Sequence, residues 1–218
     1  MDIEAVIFDW GGTLTAWHDI DFHAESLALA QAVVVADGAE HGYDAHAARL
    51  HQAGATVWGW SRDHQRSATI GDLFAEAGLD HDPELLTAYY DFWEPHTLTD
   101  PEVRPMWEEL RAAGIRVGVL SNTIWPRAWH VGFFERDGVH DLSDGDVYTS
   151  EMPWTKPSPR AVRHHVVGVD VDDQLVAAES SGALDLVDGV GHRERAAGPA
   201  RRRAGRVGRP GVGSRAGG

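Results

Sequence analysis

The sequence predicts an α/β protein: a parallel, doubly wound sheet with a helical insertion after its first strand. Three observations predict it. The apolar run "AVIF" runs into the glycine-bearing turn "DWGGT", residues 21 to 96 then carry apolar side chains at helical spacing, and from residue 97 strand and helix patterns alternate.

The first strand is a short, wholly apolar run, as expected of a strand buried on both faces. Within the insertion, "DFHAESLALAQAVVVA", "DAHAARLHQAG", "SATIGDLFAEAGL" and "DPELLTAYYDFWEPH" each show helical periodicity, with Asp, Ser or Gly at their boundaries. "DPEVRPMWEELRAAG" has Pro in its first turn and Gly after its end, the asymmetry that a helix prefers. "IRVGVLSNT" is a second buried strand ending in small polar residues. A helix over about 126 to 137, a strand at "DVYTS", a helix after Pro157 and a strand at "QLVAA" complete the series. In such sheets ligands bind beyond the carboxyl ends of the strands, where Asp9 and Ser121 stand.

The chain has 218 residues, 43% of them hydrophobic, with nine Trp, enough for a substantial core. It has no cysteine, so disulfides, thiolate metal sites and cysteine nucleophiles are excluded. There is no secretory signal pattern and no apolar stretch near the roughly 18 residues that a membrane helix needs, so a soluble cytoplasmic protein is expected. A net charge of -15 argues against nucleic acid or anionic membranes as partners. Residues 1 to 182 hold 11 basic and 31 acidic side chains, whereas residues 183 to 218 hold eight Arg and three acids. That last segment has nine Gly and no aromatic residue, Ile or Met, so it is expected to be mostly disordered.

Three features carry the chemistry: Asp9 after the first strand, "LSNT" after the second, and "TKPSP", which contains Lys156, the only lysine of the chain. Singly, each has an ordinary reading as a turn former, a helix cap or a solvated cation. Together, a carboxylate, a hydroxyl with nearby backbone amides and an ammonium at one sheet edge suit a dianionic phosphoryl group.

In order and placement, "FDWGGTLT", "VLSNT" and "TKPSP" resemble the first three signature motifs of the haloacid dehalogenase superfamily. The resemblance implies a Rossmann-like core from residues 1–15 plus 97–182, a helical cap from 16–96, and an Arg/Gly-rich tail from 183–218. It implies Asp9 as a nucleophile that forms an aspartyl intermediate, with Ser121 and Lys156 as catalytic partners. Gly12, Thr13 and Asn122 would bind substrate, Asn122 through its backbone. Mg2+ would be held by Asp9, by the backbone carbonyl of Gly11 and by an acid of the fourth motif. That motif is degraded to "QLVAAESSGALD", where Glu179 follows the strand and Asp185 comes six residues later.

Phosphatases of the superfamily carry an acid two residues after the nucleophile, and here that residue is Gly11. General acid and base help is worth about 10²–10⁴-fold, so transfer from poor leaving groups should be slow. His18 or His23, close after the loop, could supply the missing proton. The other aromatic and His residues of the cap read as core packing and solvated side chains.

The expected function is therefore a phosphatase-like hydrolase of a small phosphorylated metabolite, slowed by Gly11. Other readings stay open. One is a non-catalytic relative that binds phosphorylated ligands, or a defective product of an altered frame, since the Arg, Gly, Ala and Pro of the tail are what GC-rich codons give out of frame. Another is a haloacid dehalogenase, for which Arg62 and Arg66 would supply positive charge. A phosphonate-cleaving enzyme would need a cap lysine, and this cap has none. Neither the substrate nor the oligomeric state is legible.

Overall fold

The computed structural model describes residues 3–34 and 42–162, and the backbone of 176–178. Four strands, β1 (Ala5–Phe8), β2 (Arg116–Ser121), β3 (Gly145–Tyr148) and β4 (Val176–Ala178), form one sheet in the order β3-β2-β1-β4. All pairings are parallel, with Phe8 opposite Val119 and Ala178, and Ser121 opposite Tyr148. The chain steps outward from β1 to β2 and β3, then returns to the other side of β1. Strand order thus reverses at β1, the position at which doubly wound sheets open a binding crevice. Asp9 is the first residue past β1, and Ser121 is the last residue of its neighbour β2.

The sheet is covered by α5 (Val103–Ala112) and α6 (Arg127–Arg136). Trp107 of α5 is wholly buried against Phe8 and Phe134, with ring centroids 5.9 Å away in each case. Truncating a Trp so buried costs about 3–5 kcal/mol. Helix α5 ends before Gly114, whose φ of +78° only glycine adopts without strain.

Between β1 and α5 lie α1 (Phe22–Ala30), α2 (Tyr43–His64), α3 (Ile70–Glu76) and α4 (Thr87–Trp93). Asp21 caps α1 by accepting the His23 and Ala24 amides, and Thr69 with Asp72 forms a capping box at the start of α3. Two expectations change here. Helix α1 stops at Ala30 instead of continuing through the valines, because Val33 pairs with His81 in an isolated bridge, and β-branched residues favour such extended backbone. Helix α2 runs 22 residues straight through Gly54 and Gly59. At Gly54 a Cβ would sit 3.7 Å from Leu73 Cδ1, an ordinary van der Waals contact, so the helix passes the glycine packed beside α3.

Asp185 and the whole tail of 183–218 lie outside the described residues, as does Glu179. No helix among the described residues is long and apolar enough to cross a membrane.

Candidate active site

Asp9 is placed by β1, whose apolar residues anchor it in the sheet while its carboxylate emerges at the edge. Its Oδ1 accepts the Trp10 amide at 2.8 Å and lies 2.7 Å from Lys156 Nζ. Both side chains are mostly shielded, with 21% and 15% of their surface exposed, so the pair is screened less than one at the open surface. Among the described residues Oδ2 has no partner, and it is the oxygen available to a ligand.

Lys156 is held by Asn122. The Asn122 amide accepts the Lys156 backbone N–H at 2.8 Å and donates to its carbonyl at 3.2 Å. This reciprocal pair locks the loop after β2 to the loop after β3. It also commits the Asn122 side chain to structure, so any substrate contact falls to its backbone. Ser121 is buried one residue further along β2 than the level of Asp9.

The loop after Asp9 folds tightly: the amides of Thr13, Leu14 and Thr15 converge on the Trp10 carbonyl at 3.3, 2.9 and 3.2 Å. Gly12 permits the turn with φ +71°. The Gly11 and Gly12 amides have no acceptor among the described residues, which leaves them for an anion. Thr13 differs. Among the described residues its hydroxyl is buried without a partner, and the cleft that Thr13 lines, of about 420 Å³, is rimmed by Asp100, Glu102 and Glu109, a poor setting for a phosphoryl group.

A shielded carboxylate with one free oxygen, a single ammonium and unengaged loop amides at a strand-order reversal suit covalent catalysis by Asp9. A family model described as haloacid dehalogenase-like hydrolase matches residues 3–172. The chain belongs to this family. Solved structures of similar fold include a HAD phosphatase from Thermococcus onnurineus, at 18% identity and a TM-score of 0.54, with 87% of this chain and 83% of that one covered. The L-2-haloacid dehalogenase RSc1362 gives 18% identity and a TM-score of 0.51, with 84% and 80% covered. At these identities the likeness is one of fold alone. No curated protein matches the chain.

As a haloacid dehalogenase-like hydrolase, the chain raises the question of Mg2+, which such enzymes generally use. Among the described residues no group of three or more His, Cys, Asp or Glu is placed to hold a metal. The open oxygen of Asp9 is a donor of the kind Mg2+ takes, and this ion, which keeps several waters, needs only one or two carboxylates.

His18 and His23, the histidines proposed as proton donors, are both exposed, and His18 packs edge-on to His96 with centroids 5.1 Å apart. Burial, and then the nearby His18, lower the pKa of His96.

Two features were not anticipated. Glu25 of α1 is largely buried and accepts a hydrogen bond from Tyr89 Oη at 3.1 Å, and that hydroxyl accepts from Trp125 Nε1 at 3.2 Å. Burial pushes the Glu25 pKa up to about 7, against the opposing pull of the Tyr89 bond. Trp125 packs on Trp10, 5.7 Å between centroids, so the chain from Glu25 reaches the residue beside the nucleophile. His130, buried against Trp10 and Tyr148, is kept neutral by burial, with its pKa pushed down to about 3. A glutamate between Ala24 and Ser26, in a helix of mostly small and apolar residues, was the available signal for Glu25.

Proposed function

We propose that this hydrolase cleaves a small phosphorylated metabolite through a covalent aspartyl phosphate on Asp9. The observation that carries the reading is the 2.7 Å contact between Asp9 Oδ1 and the single lysine, which leaves Oδ2 open beside unengaged loop amides. A carboxylate oxygen of Asp9 attacks phosphorus as the bond to the leaving oxygen breaks, and that oxygen departs with the electron pair. Water then attacks phosphorus, releasing phosphate and the free carboxylate. Lys156 and the Gly11 and Gly12 amides hold the charge of the phosphoryl oxygens, with Ser121 beside them. Mg2+, when bound, would be held by Asp9, the Gly11 carbonyl and Glu179, and would neutralise phosphoryl charge.

Gly11 has no proton to give, so aryl and acyl phosphates, whose leaving oxygens need little protonation, are the favoured class. The acidic chain supports a small-molecule substrate over nucleic acid or an anionic membrane, and the cytoplasm is the compartment proposed for it. The test is Mg2+-dependent release of 4-nitrophenol from 4-nitrophenyl phosphate, with loss of turnover in Asp9→Asn. Acid quenching with labelled substrate should trap phosphate on the wild-type protein. Faster turnover of alkyl than aryl phosphates would overturn the leaving-group assignment. If neither protein turns over while both bind phosphate, the chain is a binding protein.

A further inference from the structure

We infer that Arg66, on the segment joining α2 to α3, binds a second anionic group of the substrate, a carboxylate or a further phosphate. The inference rests on the reading of Asp9 and Lys156 above and adds to it the substrate class.

The joining segment is bonded to the loop that carries Lys156. Helix α2 ends at Gln65, the one non-glycine residue with positive φ, +51°, among the described residues, and this turn brings its carbonyl to the Thr155 amide at 3.0 Å. The Ser67 amide reaches the Pro153 carbonyl at 3.3 Å, and the Ser67 hydroxyl donates to the Met152 carbonyl. Ser61 Oγ adds a 3.1 Å bond to Thr155 Oγ1. On the other flank the Ile70 amide bonds the Ile124 carbonyl, in the loop after β2, at 3.0 Å.

The two backbone bonds make Arg66 and Trp154 an antiparallel pair of the non-hydrogen-bonded kind. In such a pair both side chains leave the same face, with Cβ atoms about 4.5–5.5 Å apart. The Arg66 guanidinium lies over the Trp60 ring at 4.0 Å, and the Arg160 guanidinium lies over the Trp154 ring at 5.4 Å. Arg66, stacked on Trp60, thus leaves the chain opposite Trp154, which itself carries the Arg160 guanidinium, and Trp154 is two residues from Lys156.

Their lack of carboxylate partners is informative in so acidic a chain. Arg62, Arg104, Arg111, Arg127 and Arg136 each pair with a carboxylate. Among the described residues Arg66 and Arg160 have neither a carboxylate nor a carbonyl for their guanidinium groups. Stacking on an indole fixes the plane of a guanidinium and leaves its N–H edge for a planar, bidentate acceptor. Arg62, the other cap arginine considered for anion binding, is taken by Asp63 at 3.0 Å.

The test compares 4-carboxyphenyl phosphate with phenyl phosphate in the wild type, Arg66→Gln and Arg66→Lys. A charge-assisted bond to the carboxylate predicts that the ratio of kcat/KM for the two substrates falls about tenfold or more in Arg66→Gln. Arg66→Lys should recover part of the ratio. An unchanged ratio in Arg66→Gln overturns the assignment, as does equal loss in the Lys and Gln variants. Binding of 4-phosphonobenzoate against phenylphosphonate gives the same ratio without turnover, so failure of Asp9 as a nucleophile is read separately. If the variants do not fold, the wild-type ratio itself should decline with added KCl, and a ratio indifferent to salt counts against the proposal.

Discussion

Two carboxyl groups in this molecule have opposite surroundings. Asp9, at the sheet edge, meets an ammonium at 2.7 Å and a backbone amide, and keeps one oxygen open. Glu25, on α1, meets the hydroxyl of Tyr89 and the side chain of Trp93, and burial pushes its pKa up to about 7. The difference teaches what burial does to a carboxyl group: at Glu25 neutral donors offset desolvation only in part, whereas Asp9 has a cation on one oxygen and its other oxygen open.

The largest expected effect comes from making the first environment resemble the second. Lys156→Gln replaces the ammonium with a neutral amide and should lower kcat/KM for 4-nitrophenyl phosphate about 10²–10³-fold, the usual cost of removing one preorganised charge stabiliser. Steady-state kinetics on the folded variant check this. A loss below tenfold would mean that the cation does not distinguish the two sites functionally.

Gly11→Asp sharpens the comparison by adding a carboxyl with a proton to give. The position has open space, since a Cβ there meets nothing within 4 Å, and its φ lies outside the left-handed range. The expected outcome is a gain of about 10²-fold on alkyl phosphates, with a smaller gain on aryl phosphates, the range of general acid help. Equal gains on both classes would argue that the new carboxyl acts through charge or metal binding instead.

Glu25→Gln tests the second environment through stability. Below pH 4.5 folded and unfolded chains both hold the proton, and the glutamate costs nothing. Between 4.5 and about 7 the unfolded chain ionises while the folded one keeps its proton, so stability falls as pH rises. Above 7 the penalty is constant, on the order of 3 kcal/mol by the size of the shift. Thermal melts of the variant should match the wild type at pH 4.5 and exceed it at pH 8. His130, with its pKa pushed down to about 3, has the opposite dependence, stability falling as pH drops below 6.5, but it is common to both proteins and cancels in the difference.

How legible these sites were follows from the range of the interactions that make them. Asp9 and Lys156 stand in local motifs next to strand ends, so strand periodicity and the resemblance place them at one edge, and the geometry brings them into contact. Arg66 was visible only as one of two arginines, with Arg62, that could bind an anion. Its stacking and its bridge to Trp154, 88 positions away, depend on a chain reversal that no local pattern encodes. Gln65 ends α2 in a conformation normally left to glycine, while Gly54 and Gly59 inside the helix do not end it, so punctuation by residue type misplaced that boundary. Glu25 reads as an ordinary helix-start acid until Tyr89 and Trp125 close over it.

Tyr89→Phe gives the smallest expected effect and separates the hydroxyl's two roles. It removes the donor to Glu25 and the acceptor for Trp125 Nε1, with a loss of about 1–2 kcal/mol near pH 5, where Glu25 is protonated in the fold. Because the Tyr89 bond lowers the Glu25 pKa, its removal should move the upper end of the pH-dependent window above 7. Melting curves from pH 5 to 9 would then show the variant losing stability over a wider pH range than the wild type. If both curves flatten at the same pH, the hydroxyl contributes packing alone and does not hold the Glu25 pKa down.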